Sequence, residues 1–263
     1  LLWLLYLSFV NVGQVFYSFG WETLLLEVGF LSIYLGSVNT QPPVIIIWLL
    51  RWVLFRLMFG AGLIKLRGDE CWRDLTCLFY HYQTQPMPNP LSWYFHWMPK
   101  PFHMASVLFN HFVELVVPFG FFFPKIISSI SAIFTIGLMS FLMFSGNLSF
   151  LNFITIIIAI SAFNDEFLLK IFPFLSHIIP NEIAPITQIH SGLIIILTMV
   201  VVILSIPVVI NLFSKHQAMN TSYNVLHFVN TYGAFGSVTK IRYEIIIEGT
   251  EEDIILPNTR WKE

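Results

Sequence analysis

Asn110, His111 and Glu114 fall on neighbouring positions of one helical face inside an apolar stretch, because residues three and four apart stack on a helix surface. The preceding apolar stretch carries Arg51 and Arg56, and Lys65 stands near its end. Charge in hydrocarbon is expensive, so each of these groups calls for a partner or a purpose. Two readings are open. The six residues either form an intramembrane ion-pair and hydrogen-bond cluster that fixes helix packing, or they line a polar pocket. Lys65 follows Gly60-Ala61-Gly62, where missing side chains permit close helix approach. A lysine desolvated there could serve as a base, with His111 and Glu114 beside it as further catalytic candidates. The plain alternative is a lysine that snorkels to the interface.

Cys71 and Cys77 lie close in sequence, with no CxxC and no clustered histidine. A local disulfide fits them better than a zinc site or a redox dithiol, with free thiols as the other alternative. His81, His96 and His103 are spread through an aromatic connection and read as surface or hydrogen-bonded histidines. No metal site is expected. Glu22 and Glu27 in WETLLLE read as the edge of an interfacial helix without a chemical role. Neither GxSxG, HExxH nor a nucleotide-binding loop occurs, and no cofactor is expected.

These residues need elements to hold them, and the composition says what kind. Hydrophobic residues make up 56% of the 263 positions, aromatics 17% and charged residues 11%, with a mean hydropathy of +0.75. An ordinary soluble domain carries about 25% charged residues. The runs Val44–Leu66, Ala105–Phe123, Ile126–Phe144, Leu148–Phe163 and Ile186–Phe213 approach or exceed the roughly 20 residues that cross a bilayer. Leu1–Phe19 and Leu24–Leu35 are weaker candidates. The expected fold is an α-helical multipass membrane protein of about five to seven membrane segments. A net charge of −2 makes no electrostatic case for nucleic acid. The chain starts without Met or a basic leader and stops at Arg260-Trp261-Lys262-Glu263, so it reads as part of a longer protein.

Residues 1-213 form the expected membrane domain, with a polar Trp- and Pro-rich connection over 67-104. Aromatic residues favour the headgroup zone, so this connection should lie along the membrane surface. From Ser214 the character changes. Lys240–Glu248, the turn at Gly249-Thr250 and Ile254-Ile255-Leu256 predict a hairpin, the start of a β-rich domain over 214-263. If Val44–Leu66 spans, then 67–104, 145–147 and the tail share one side, with Lys125 and Lys170 on the other. Cys71, Cys77 and the sequons at Asn147 and Asn220 fall together on the first side, which suits an oxidising lumen.

The string RLMFGAGLIKLRGDECWRDLTC, followed by HYQTQPMPNP, NHFVELVVPF, SGNLSFLN and LHFVNTYGAFGSVTK, closely resembles the lipase maturation factor family, and the first of its two vertebrate branches more than the second. The likeness covers about Val12 to Gly249. It implies a multipass endoplasmic reticulum protein that helps secreted homodimeric lipases, such as lipoprotein lipase and hepatic lipase, fold and assemble into active enzymes. Membrane lipid is its other implied partner, and the family supplies no catalytic residues to transfer. A fainter similarity links GLIKLRGDECW to the membrane domain of vitamin K-dependent γ-carboxylases, where a lysine matching Lys65 acts as the base.

Three functions therefore compete. A non-enzymatic assembly factor would bind partly folded lipase on its lumenal surface. Tyr232 and Phe235, in YGAFG, would belong to that surface or to a turn packed on the membrane domain. A membrane enzyme would use Lys65. A transporter has only the intramembrane charges in its favour, and no inverted repeat supports it.

Overall fold

The first apolar run folds as α1 (Leu2–Gly13) and returns through a 3-10 turn into α2 (Gly20–Ile33). The structure, a computed structural model, describes residues 1–177, 183–252 and 255–262. Pro42-Pro43 then holds the chain extended, and α3 (Val44–Arg67) begins at once behind Pro43. The polar connection carries three short helices, α4 (Glu70–Arg73), α5 (Leu78–Thr84) and α6 (Ser92–His96). A proline in the first turn opens α7 (Lys100–Leu115), where its missing N–H costs nothing. A 3-10 turn continues this helix to Phe122, and α8 (Lys125–Ser145) runs back.

The run Leu148–Phe163 gives a shorter element than its composition promises. Ser149 adopts a positive φ of 51°, and only α9 (Leu151–Ile160) is helical. At 1.5 Å per residue its ten residues reach about 15 Å, roughly half the hydrocarbon thickness. Asn164 caps α10 (Asp165–Ile171) by accepting from Phe167 N at 2.8 Å. Thr187 does the same for α11 (Gln188–Phe213), which contains Pro207.

Among the described residues, four helical segments are long and apolar enough to cross a membrane: Val44–Arg67, Lys100–Phe122, Lys125–Ser145 and Gln188–Phe213. Leu2–Tyr17 and Leu151–Ile160 are shorter apolar segments. Large aliphatic side chains such as Ile195, Ile203 and Ile210 of α11 point outward, an arrangement that water penalises and lipid tolerates. Inside, Leu54 and Met58 of α3, Val113 of α7, Leu138 of α8 and Ile158 of α9 share one core with Val229 and Tyr232 of the tail.

Polar contacts separate the two ends of the bundle. At one end the connection meets the turn after α8, through Asn147 N to Met87 O at 3.0 Å and Gln85 Nε2 to Ser145 O at 2.9 Å. The tail joins there as well, with Val238 N donating to Asp69 Oδ2 at 2.7 Å. At the other end Lys125 pairs with Glu166 at 3.4 Å, and Gln41 N donates to Ala184 O at 3.0 Å.

The expected hairpin does not form a ladder in the described residues. Residues 242–248 carry neither helix nor ladder, Gly249 bridges to Lys262, and Ser222 bridges to Asn230. Ile254 of the expected return strand lies outside the described residues. The β-branched run has the composition of a strand, but strands need a partner with its own buried face. Ile245 and Ile247 are instead exposed.

Candidate functional site

Glu114 lies one position before the end of α7, and its partner is Lys65, two positions before the end of α3. Lys65 Nζ donates to Glu114 Oε1, and both side chains are 4% exposed. Asn110, one turn earlier, donates from Nδ2 to Glu114 Oε2 at 2.9 Å. The Lys65 ammonium also sits 5.4 Å from the Trp72 ring centre, close enough for cation–π attraction. His111 makes no hydrogen bond to this pair and donates from Nε2 to the Trp72 carbonyl at 3.0 Å. Gly62 lets α7 come close, since a Cβ there would meet Leu115 Cδ2 at 2.7 Å.

The two arginines go elsewhere. Arg51 ties carbonyls together near the opposite end, donating to Ser161 O at 2.9 Å and Phe121 O at 3.1 Å. Arg56, 1% exposed, is paired with Glu27 of α2. Its other donor reaches Asn230 O at 2.6 Å. The free oxygen of Glu27 accepts from Tyr232 Oη at 2.7 Å, Asn230 Nδ2 at 3.0 Å and Asn230 N at 3.1 Å. The six residues read as one cluster thus divide into four arrangements: Lys65 with Glu114 and Asn110, His111 on the Trp72 carbonyl, Arg51 on two carbonyls, and Arg56 on Glu27.

This second pair corrects one expectation, for Glu27, and for Tyr232 favours the packed turn over the client-facing surface. Glu27 is not the edge of an interfacial helix; it is 1% exposed and accepts from Arg56, Tyr232 and Asn230. Tyr232 is also 1% exposed, so it offers no face to a client protein. Burial together with the nearby Glu27 carboxylate raises its phenol well above the ordinary range. Gly60 makes the docking possible, since a Cβ there would lie 2.5 Å from the Tyr232 carbonyl oxygen. Phe235 is half-buried, and its ring meets His81 edge-on with centroids 5.4 Å apart. Trp72 Nε1 donates to its carbonyl at 2.7 Å.

Between α3, α7, α8, α9 and the connection lies a cavity of about 650 Å³ with mostly apolar walls. Lys65, Glu114 and Asn110 line it, joined by His81, Tyr82 and Asn152. Burial, reinforced by Lys65, lowers His81 from 6.5 to about 4, so its imidazole is neutral at neutral pH. Burial also pushes the Tyr82 phenol up. Sequence reading missed His81, Tyr82, Gln85 and Asn152 as wall residues.

Cys71 and Cys77 form a disulfide at the head of the connection, in a turn closed by Thr76 N to Cys71 O at 2.8 Å. His103 donates from Nε2 to Phe95 O at 2.9 Å. Among the described residues, no group of three or more His, Cys, Asp or Glu side chains gathers in a metal-holding arrangement. Asn147 is exposed, whereas Asn220 is half-buried and accepts from Gly233 N at 3.4 Å.

Residues 1–170 match the profile of the lipase maturation factor transmembrane domain. The whole chain aligns with lipase maturation factor 1 of Mus musculus at 45% identity over 287 residues, and with that of Homo sapiens at 43% over 285. In both cases the chain spans 50% of the relative's length. Lipase maturation factor 2 of Xenopus tropicalis is 38% identical over 177 residues, which cover 63% of this chain and 25% of that protein. No solved structure matches the chain.

Proposed function

Since this chain belongs to the lipase maturation factor family, we propose that it is the membrane-embedded part of a factor that helps secreted homodimeric lipases fold and assemble. The observation that carries this reading is the match along the full chain to proteins named for lipase maturation. Lipoprotein lipase and hepatic lipase are the proposed clients. The proposed site of action is the endoplasmic reticulum, where an oxidising lumen suits the Cys71–Cys77 disulfide.

The division at residue 213 serves this role. Residues 1-213 anchor the factor, and residues 214-263 begin a lumenal part that holds client chains. The lumenal end gathers the connection over 67-104, the turn at Asn147 and the tail, with Asn147 its more open glycosylation acceptor. Phe235 and the exposed Trp93 and Trp97 are the available apolar contacts on this end. Tight binding of an assembly-competent intermediate suppresses aggregation without covalent chemistry. The test is coprecipitation from cells that express the full protein with lipoprotein lipase. Inactive lipase monomer should come down and mature dimer should not; equal recovery of the two would overturn the proposal.

A second reading has the cavity in its favour. Lys65 reaches it and could act as the base of a membrane enzyme resembling the γ-carboxylase membrane domain. Against this, its ammonium is engaged by Glu114 and stacked on Trp72, the position of a structural donor. Lys65→Met alone leaves a buried carboxylate unpaired and confounds the result. Lys65→Met combined with Glu114→Leu separates the readings: a scaffold retains lipase maturation in the double variant, and an enzyme loses it.

A further inference from the structure

We propose that the cavity between α3, α7, α8 and α9 is a binding site for an uncharged lipid alcohol, with Asn152 receiving its hydroxyl. This goes beyond lipase maturation and does not depend on it. The side-chain amide of Asn152 lines the cavity, is 1% exposed, and has no hydrogen-bond partner at either Nδ2 or Oδ1 among the described residues. Buried amides are almost always paired, because leaving both ends unmade forfeits hydration without return. Tyr82 repeats the pattern on another wall: it is 3% exposed and its hydroxyl likewise lacks a partner.

The remaining walls select the ligand. The volume of about 650 Å³ falls inside the range of roughly 300–1,000 Å³ typical of small-molecule sites. The walls are mostly apolar, with Leu138, Met139, Phe109 and Phe141 among them, which calls for an apolar body. The charged side chains on the walls cancel, since Lys65 is paired with Glu114. His81 is held neutral by burial and by Lys65. A carboxylate or phosphate would have to break the buried pair to find a counter-charge. A bare ester would accept from Nδ2 and leave Oδ1 without a donor, whereas a hydroxyl both accepts and donates and so serves both ends of the amide.

Gly137 of α8 supplies the means to test this. It lines the cavity, and a Cβ built there meets no atom within 4 Å. Gly137 is exposed at the edge of the cavity, so a larger residue can be placed there to crowd its mouth, and a helix interior favours it over glycine. The full chain, purified in detergent, is titrated with tritiated cholesterol and tritiated dioleoylglycerol, two alcohols of different shape. Cholesteryl acetate and oleic acid serve as competitors. Saturable binding of either alcohol is expected, and which one binds distinguishes sterol from glyceride. Gly137→Leu should abolish it while the protein stays monodisperse.

Asn152→Leu should weaken binding by at least about ten-fold and raise the thermal midpoint of the lipid-free protein, because an orphaned amide has been removed. A purely structural asparagine would lower that midpoint and leave binding unchanged. The proposal fails if neither alcohol saturates, if Gly137→Leu binds like the parent, or if the acetate or oleic acid competes as well as the alcohols.

Discussion

Glu27 shows how much a single side chain can hold in place. It neutralises Arg56, and it accepts three hydrogen bonds from Asn230 and Tyr232. Glu27→Ala leaves a buried guanidinium without its counter-ion, and the expected loss of stability is about 3–5 kcal/mol. Replacing Arg56 by Leu in the same background should recover part of that loss, since two residues in contact do not behave additively. Unfolding of the purified chain in mixed micelles measures both, and additive losses would contradict the pairing. His81 gives a prediction in pH. Its folded value of about 4 lies below the unfolded 6.5, so its stability contribution is full above 6.5 and is lost as pH falls toward 4. Thermal midpoints between pH 7.5 and 4.5 should drop for the parent and drop less for His81→Asn.

Part of this residue chemistry was readable in advance. Asn110 and Glu114 sit one helical turn apart, so their meeting followed from helix geometry. Which cation Glu114 would take was not readable, because Arg51, Arg56 and Lys65 precede it on one helix and only depth in the bundle chooses among them. Glu27 was beyond reach for another reason. Its hydrogen-bonding partner Asn230 lies 203 residues away, in a segment with no membrane character.

Elements tell a similar story. The four long helices followed from apolar length alone, as α3 and α11 illustrate. Leu151–Ile160 fell short because a local turn at Ser149, invisible to composition, consumes the start of the run. Glycines in α3 were expected to admit a neighbouring helix. Gly62 does so toward α7, but Gly60 admits the tail. Gly60→Ala should therefore displace the Tyr232 carbonyl and loosen residues 229–236 while α3 stays helical. Trypsin should then cut faster at Lys240 and Arg242 than in the parent, with unchanged helical content by circular dichroism. Equal cutting rates would argue against this docking.

For the molecule as a whole, the polar contacts give it two distinct ends. Asn147 and Asp69 mark one end, where the tail also docks, and Lys125 and Glu166 mark the other. Single cysteines introduced as Ser149→Cys and Lys125→Cys should react with a membrane-impermeant maleimide from opposite faces of sealed microsomes. Labelling of both from the same face would refute the arrangement. The native cysteines do not interfere, being joined to each other.

The contact between Glu27 and Asn230 also orders events during synthesis. Helices α2 and α3 leave the ribosome early, yet the groups that complete the hydrogen bonding of their buried carboxylate are made some two hundred residues later. Until then the half-assembled bundle keeps an unfinished polar centre in lipid. A reading frame that stopped before Val229 would not yield a smaller working anchor. It would yield an insertion intermediate in which Glu27 keeps Arg56 but lacks the donors that Asn230 and Tyr232 supply to its second oxygen.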